Sequence, residues 1–182
     1  MSEAMINLLV TALGDTLLMV FASALFGCLL GLPLGVALHV TKAGQILANP
    51  ALNKLLGILV NIGRSVPFIA RLVEGALMEV PDGLLEAAKA MGAKPLQIIT
   101  KVLLPEALPG IINSVTITLV TLVNYSAMAG AIGGGGLGDV GIRYGYQRFD
   151  PTVMLATVVI LVLLVQIIQS AGERLVNTCD HR

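Results

Sequence analysis

The chain has 182 residues, of which 56% are hydrophobic and 12% charged, with a mean hydropathy of +0.90. A soluble domain carries about 25% charged residues, so this composition excludes an ordinary soluble fold and indicates one integral membrane domain spanning residues 1–182. The formal net charge is zero, which removes bulk electrostatics as a route to nucleic-acid binding.

Taken in chain order, residues Met1 to Asp15 carry Glu3 and Asp15 but no Lys or Arg. A secretory leader needs a positive start, so the first apolar run is expected to remain as a membrane helix. A span needs about 20 apolar residues, and Leu17 to Val40 supplies an uncharged stretch of that kind. Cys28 lies in this run and Cys179 near the C-terminus, an arrangement that does not suggest a disulfide framework. Residues 51–80 are apolar but broken by Lys54, Arg64, Arg71, Glu74 and Glu79. Arg71 and Glu74 stand one helical turn apart and can pair; Arg64 is expected to pair with Glu74 or to snorkel to the interface.

Asp82 is the expected N-cap of a helix through Leu84, Leu85, Ala87, Ala88 and Met91. Gly92 is its expected stop, and Pro95 opens a second short helix along Leu96, Ile99 and Leu103. Pro105 and Pro109 then flank the entry to a long uncharged stretch, Leu108 to Gly138, enough for one span and a loop. Within it, Asn124, Tyr125, Ser126 and Met128 are polar or polarisable groups at mid-span. Two readings stay open: a pathway lining, or close interhelical packing through Ser126, Ala127, Ala129 and Gly130. Residues 133–138 match G-x-G-x-x-G, but after a membrane span and outside any βαβ unit this is expected to be a tight turn rather than a nucleotide site. Pro151 to Gly172 is a third clear span.

Lys and Arg mark cytoplasmic loops. Lys42 and Lys54, then Lys89, Lys94 and Lys101, then Arg174 and Arg182, place three segments inside; Arg143 and Arg148 lie outside by parity. The first two loops share a side, yet residues 55–80 are too few for two crossings at 1.5 Å rise per residue. That segment is therefore expected to dip, to lie along the interface, or to invert the topology. His39 and His181 have no neighbouring ligand cluster, so no metal site is expected. No nucleophile–base pair is visible, so no catalytic residues are assigned. No Walker A sequence occurs, so any ATP must be bound by another chain.

Glu86-Ala87-Ala88, Gly92 and Leu104-Pro105 follow E-A-A-x3-G-x9-I-x-L-P, with Val102 at the Ile position. This resembles the EAA loop of bacterial ABC-transporter permeases, here about residues 82–105. The runs Arg64 to Phe68, Lys101 to Gly110, Tyr125 to Gly130, Gly133 to Asp139 and Tyr144 to Tyr146 extend the likeness along nearly the whole chain. They resemble the methionine-uptake branch of these permeases.

The resemblance implies an all-α polytopic bundle in the bacterial inner membrane, a shortened ABC-importer permease fold of four long helical regions plus a coupling helix. It implies a second copy of the chain, an ABC ATPase that uses ATP-Mg, a periplasmic methionine-binding lipoprotein, methionine as substrate and surrounding membrane lipid. It implies no cofactor on this chain, no enzymatic activity of its own, and no nucleic acid. Glu86, Ala87, Ala88, Gly92, Leu104 and Pro105 would couple to the ATPase; Tyr125, Ser126 and Met128 would line the path. Against the family pattern, Pro67-Phe68-Ile69 runs straight into Ala70-Arg71-Leu72, with thirty-odd residues fewer than the family's second and third helices require. That shortening leaves open a transport-defective remnant that still docks the ATPase; a third reading, of another class, is a membrane channel or interaction protein with no ATPase.

Overall fold

The computed structural model describes residues 3–41 and 66–179, with side chains placed at 3–41 and 68–179. Lys42, Lys54, Arg64, His181 and Arg182, and the first part of the 55–80 segment, lie outside the described residues. The described residues are helical, with no strand among them. In order they form α1 (Glu3–Val40), α2 (Val66–Met78), α3 (Asp82–Ala90), α4 (Pro95–Ile98), a π-helical segment (Ile99–Leu103), α5 (Leu104–Ala131), α6 (Gly136–Val140), a second π-helical segment (Gly141–Tyr146) and α7 (Pro151–Cys179).

Among the described residues, three helical stretches are long and apolar enough to cross a membrane: Glu3–Val40, Pro95–Tyr146 and Pro151–Cys179. The first starts well before Leu17, because Glu3 and Asp15 are absorbed into one continuous helix of 38 residues. Of residues 55–80, expected to dip, to lie along the interface or to invert the topology, only the later part is described. The described part, α2, has 13 residues, about 20 Å at 1.5 Å per residue, which is short of the ~30 Å hydrocarbon core.

Pro105 and Pro109 do not flank a helix start; both lie inside a helical run that continues from Pro95. Proline lacks an N–H and its ring crowds the carbonyl four residues back. The chain accommodates this by widening to a π-turn, in which the Leu104 N–H donates to the Ile99 carbonyl five residues earlier. The widening also changes the inward line, which is Ile98 and Leu103 rather than Leu96, Ile99 and Leu103.

The chain packs as two units whose boundaries fall within α1, α5 and α7. In the unit of Met1–Leu25 and Thr116–Ala171, Leu9, Ala12, Leu137, Val140 and Val153 form one buried cluster. Val20, Val123 and Leu164 form another. Here the glycine-rich stretch is a tight turn: Gly133, Gly135 and Gly136 have φ of 89°, 79° and 73°. Leu137 closes it by donating its N–H to Thr16 Oγ1 at 2.9 Å.

In the unit of Phe26–Val115 and Gly172–Arg182, α2 lies against the small face of α1. A Cβ at Gly31 would stand 2.6 Å from Ile69 Cγ2, and one at Gly35 would stand 2.8 Å from the Ala70 carbonyl oxygen. Such spacing lets two backbones meet at small residues. The core of this unit joins Val40, Ile69, Val73 and Leu77 to Leu85, Ala88, Ile98, Leu103 and Ala107. Ser114 donates to the Gly110 carbonyl one turn back at 2.8 Å, with the Leu72 carbonyl of α2 sharing that proton at 3.2 Å.

Candidate functional site

The Glu86 loop is built from α3, the turn at Gly92 and α4. Asp82 is the first helical residue, not the N-cap: Pro81, extended at φ −61° and ψ 130°, occupies the cap without a side-chain capping bond. Proline fixes that φ, and its carbonyl accepts the Leu84 N–H at 3.1 Å. The Asp82 carboxylate still sits in the first turn, where negative charge is favourable to the helix dipole.

The stop is a Schellman motif. Gly92 N–H donates to the Lys89 carbonyl at 3.0 Å and Ala93 N–H to the Ala88 carbonyl at 3.2 Å. The reversal requires the left-handed backbone at Gly92, φ 76°. Past it, Gln97 Oε1 accepts the Lys94 N–H at 3.0 Å, fixing the start of α4 with Pro95 in its first turn.

This geometry divides the residues expected to couple. Glu86, Ala87, Gly92, Leu104 and Pro105 are exposed, whereas Ala88 is 3% exposed and belongs to the core with Leu85. Ala88 therefore anchors α3, and the surface alanines are Ala87 and Ala90. Outward, α3 presents Leu84, Ala87 and Met91 at helical spacing, and α4 adds Leu96; Met91 is 80% and Leu96 71% exposed. This apolar outer face went unnoticed in the sequence, although the signal was present: Leu84/Ala87/Met91 and Leu85/Ala88 are two apolar lines on one short helix, and only one can face the core. Beside the loop, a cleft of about 430 Å³ is lined by Ala76, Glu79, Pro105, Glu106 and Asn113 among others.

The residues expected along a pathway are also divided. Tyr125 and Met128 are 62% and 70% exposed on one face of α5, while Ser126 is buried on another. Ser126 thus belongs with the packing face, as does Gly130, which the Asp139 N–H approaches directly. Among the described residues no group of His, Cys, Asp and Glu could hold a metal ion. Arg71 pairs with buried Glu74 at 3.4 Å.

Residues 4–177 match the model of the binding-protein-dependent transport system inner membrane component family. The chain is 55% identical to the probable D-methionine transport system permease protein MetI of Vibrio cholerae, covering 97% of this chain and 94% of that one. It is 48% identical to the D-methionine transport system permease protein MetI of Escherichia coli over 71% of this chain and 76% of that one. A solved chain of the MetNI methionine ABC transporter, in an inward-facing conformation, superposes with a TM-score of 0.92 at 47% identity, with 100% of both chains covered. A chain of an amino acid ABC transporter shares the fold at a TM-score of 0.69 and 14% identity.

The Vibrio cholerae alignment has 211 positions but takes up 97% of 182 residues, about 177, so about 34 positions have no counterpart here. The alignment with the Pasteurella multocida relative has 203 positions against 92% of this chain, about 167 residues, which leaves about 36. The shortening noted between Ile69 and Ala70 has this size. Three span-length helices among the described residues and this likeness make the protein a multi-pass component of the inner membrane. The chain belongs to the family of binding-protein-dependent transport system inner membrane components.

Proposed function

We propose that this chain is the membrane-spanning subunit of an ATP-driven methionine importer. Two copies pair around a shared path, an ABC ATPase docks on the α3–α4 loop of each, and a periplasmic lipoprotein delivers methionine. The substrate reading rests on relatives described as D-methionine permeases. The chain performs no covalent chemistry and holds no cofactor; ATP-Mg is bound and hydrolysed by the partner.

The observation that carries the docking reading is the short helix α3, anchored by Leu85 and Ala88 and apolar on its outer face at Leu84, Ala87 and Met91. A rigid helix with exposed apolar anchors is what a groove on another protein accepts. Glu86 stands exposed beside that face and supplies a carboxylate for a partner's cation. Closure of the ATPases then pushes on α3, and the Gly92 turn passes the movement to the continuous helix from Pro95 to Ala131. Tyr125 and Met128, on the open face of α5, line the path that this movement opens to one side or the other. ATP drives the switch because the two states of the complex bind it with different affinity.

The test is reconstitution of this chain with the ATPase and binding lipoprotein in vesicles. Methionine uptake requiring both ATP and this chain is expected. Glu86→Lys should abolish co-purification with the ATPase and uptake together. ATPase docking without uptake would leave a transport-defective subunit, and uptake indifferent to Glu86→Lys would remove the coupling role.

A further inference from the structure

The turn between the second π-helical segment and α7 carries an exposed group that neither packing nor docking on α3 uses. Residues 151–172 are uncharged, 22 residues between Asp150 and Glu173. At 1.5 Å per residue this is about 33 Å, close to the ~30 Å hydrocarbon core. The two flanking carboxylates must therefore sit at opposite headgroup layers, which fixes the depth of residues 146–150.

At that depth, Tyr146 and Phe149 are 69% and 88% exposed. Phe149 is left-handed at φ 54°, a conformation that costs a bulky residue about 1–2 kcal/mol. Bonds from the Phe149 N–H to the Tyr146 carbonyl (3.3 Å) and from the Asp150 N–H to the Gly145 carbonyl (3.1 Å) hold it there. A ring held outward against its torsional preference gains from an apolar surrounding outside the protein.

Between Tyr146 and Phe149 in sequence, Arg148 is exposed, with its guanidinium 4.7 Å from the centre of the Tyr144 ring. The acids nearby are engaged elsewhere: Asp139 accepts from Arg143 at 3.1 Å, and Asp150 accepts the Thr152 and Val153 N–H groups at 3.0 and 3.4 Å. Among the described residues no carboxylate bonds Arg148. A guanidinium held over a ring face by a cation–π contact still has N–H groups to offer outward, and its planar fork fits a phosphate bidentately.

We propose that Arg148, stacked on Tyr144 and flanked by Tyr146 and Phe149, binds the phosphodiester of a membrane phospholipid, with Phe149 seated at the boundary between headgroups and acyl chains. A lipid is the source because the phosphate-binding edge and the exposed rings sit together at headgroup depth; a soluble phosphate would make no use of the rings.

The chain has no tryptophan, so Phe149→Trp introduces a single indole reporter. In nanodiscs holding the full chain, lipids brominated high on the acyl chain should quench it most strongly. No bromolipid quenching, with ready quenching by aqueous iodide, would overturn the proposal. Native mass spectrometry should show phosphatidylglycerol retained on the wild-type chain, with retention reduced about tenfold by Arg148→Gln, the weight of a charge-assisted contact of about 1.5 kcal/mol. Unchanged retention in Arg148→Gln, or displacement of the lipid by millimolar inorganic phosphate, would also overturn it. Because Arg148 is exposed, Arg148→Gln should fold; an unchanged circular dichroism spectrum checks this.

Discussion

At Gly92 the backbone alone explains the residue. Its φ is 76°, and a Cβ built there meets no atom within 4 Å, so substitution carries a torsional cost without a steric one. For alanine that cost is about 1–2 kcal/mol, and asparagine bears the left-handed region more easily. Gly92→Ala should therefore weaken ATPase co-purification by roughly tenfold, since ~1.4 kcal/mol is a factor of ten, and Gly92→Asn should weaken it less. Equal retention by the two variants would mean that the Schellman turn does not set the pose of α3. Gly92 was legible as a stop because few residues other than glycine end a helix in that way. The opposite roles of Ala87 and Ala88 were not legible. Identical side chains side by side differ only in which one meets Leu85 and Leu103, and that is a property of the packed core.

Among the elements, the long helices were legible from their uncharged runs, which have few alternatives to crossing lipid. Their joints were not. The prolines at 105 and 109 signalled a break, but a helix can also widen, and the π-turn at Ile99–Leu103 keeps the run continuous. The Gly27, Gly31 and Gly35 repeat was a usable pattern for the contact with α2, visible once the spacing of four is noticed. No local pattern pointed to Thr16. It is 1% exposed, donates to the Ala12 carbonyl at 2.9 Å and accepts the N–H of Leu137, 121 residues away, at 2.9 Å. Thr16→Val keeps the shape and removes the acceptor, leaving a buried N–H at a cost of about 1–3 kcal/mol. Thermal unfolding in detergent should show a midpoint several degrees lower for Thr16→Val, at roughly 2–4 °C per kcal/mol for a chain of this size. Thr16→Ser, which keeps the oxygen, should lie near wild type; a loss as large as that of valine would assign the effect to packing instead.

Across the whole chain, parity and length bear on the same segment. The deficit of about 34 positions relative to the Vibrio cholerae protein is the size of one ~20-residue span with its loops. Removing one crossing would turn one part of the chain over unless a neighbouring segment also stopped crossing. With α5 and α7 as crossings, Lys89, Lys94 and Lys101 stay on the side of Arg174, as the positive-inside rule requires. The exposed positions Gly75 and Lys89 should then share the cytoplasmic side, with exposed Gln147 opposite. Single cysteines at these three positions, in a chain with Cys28 and Cys179 replaced by serine, test this with a membrane-impermeant maleimide. In intact spheroplasts Gln147→Cys should label and the other two should not; after permeabilisation all three should. Labelling of Lys89→Cys from outside would place α3 away from the ATPase and end the importer reading. Labelling of Gly75→Cys alone from outside would require a crossing between α2 and α3, where the connection from Glu79 to Pro81 is too short to make one.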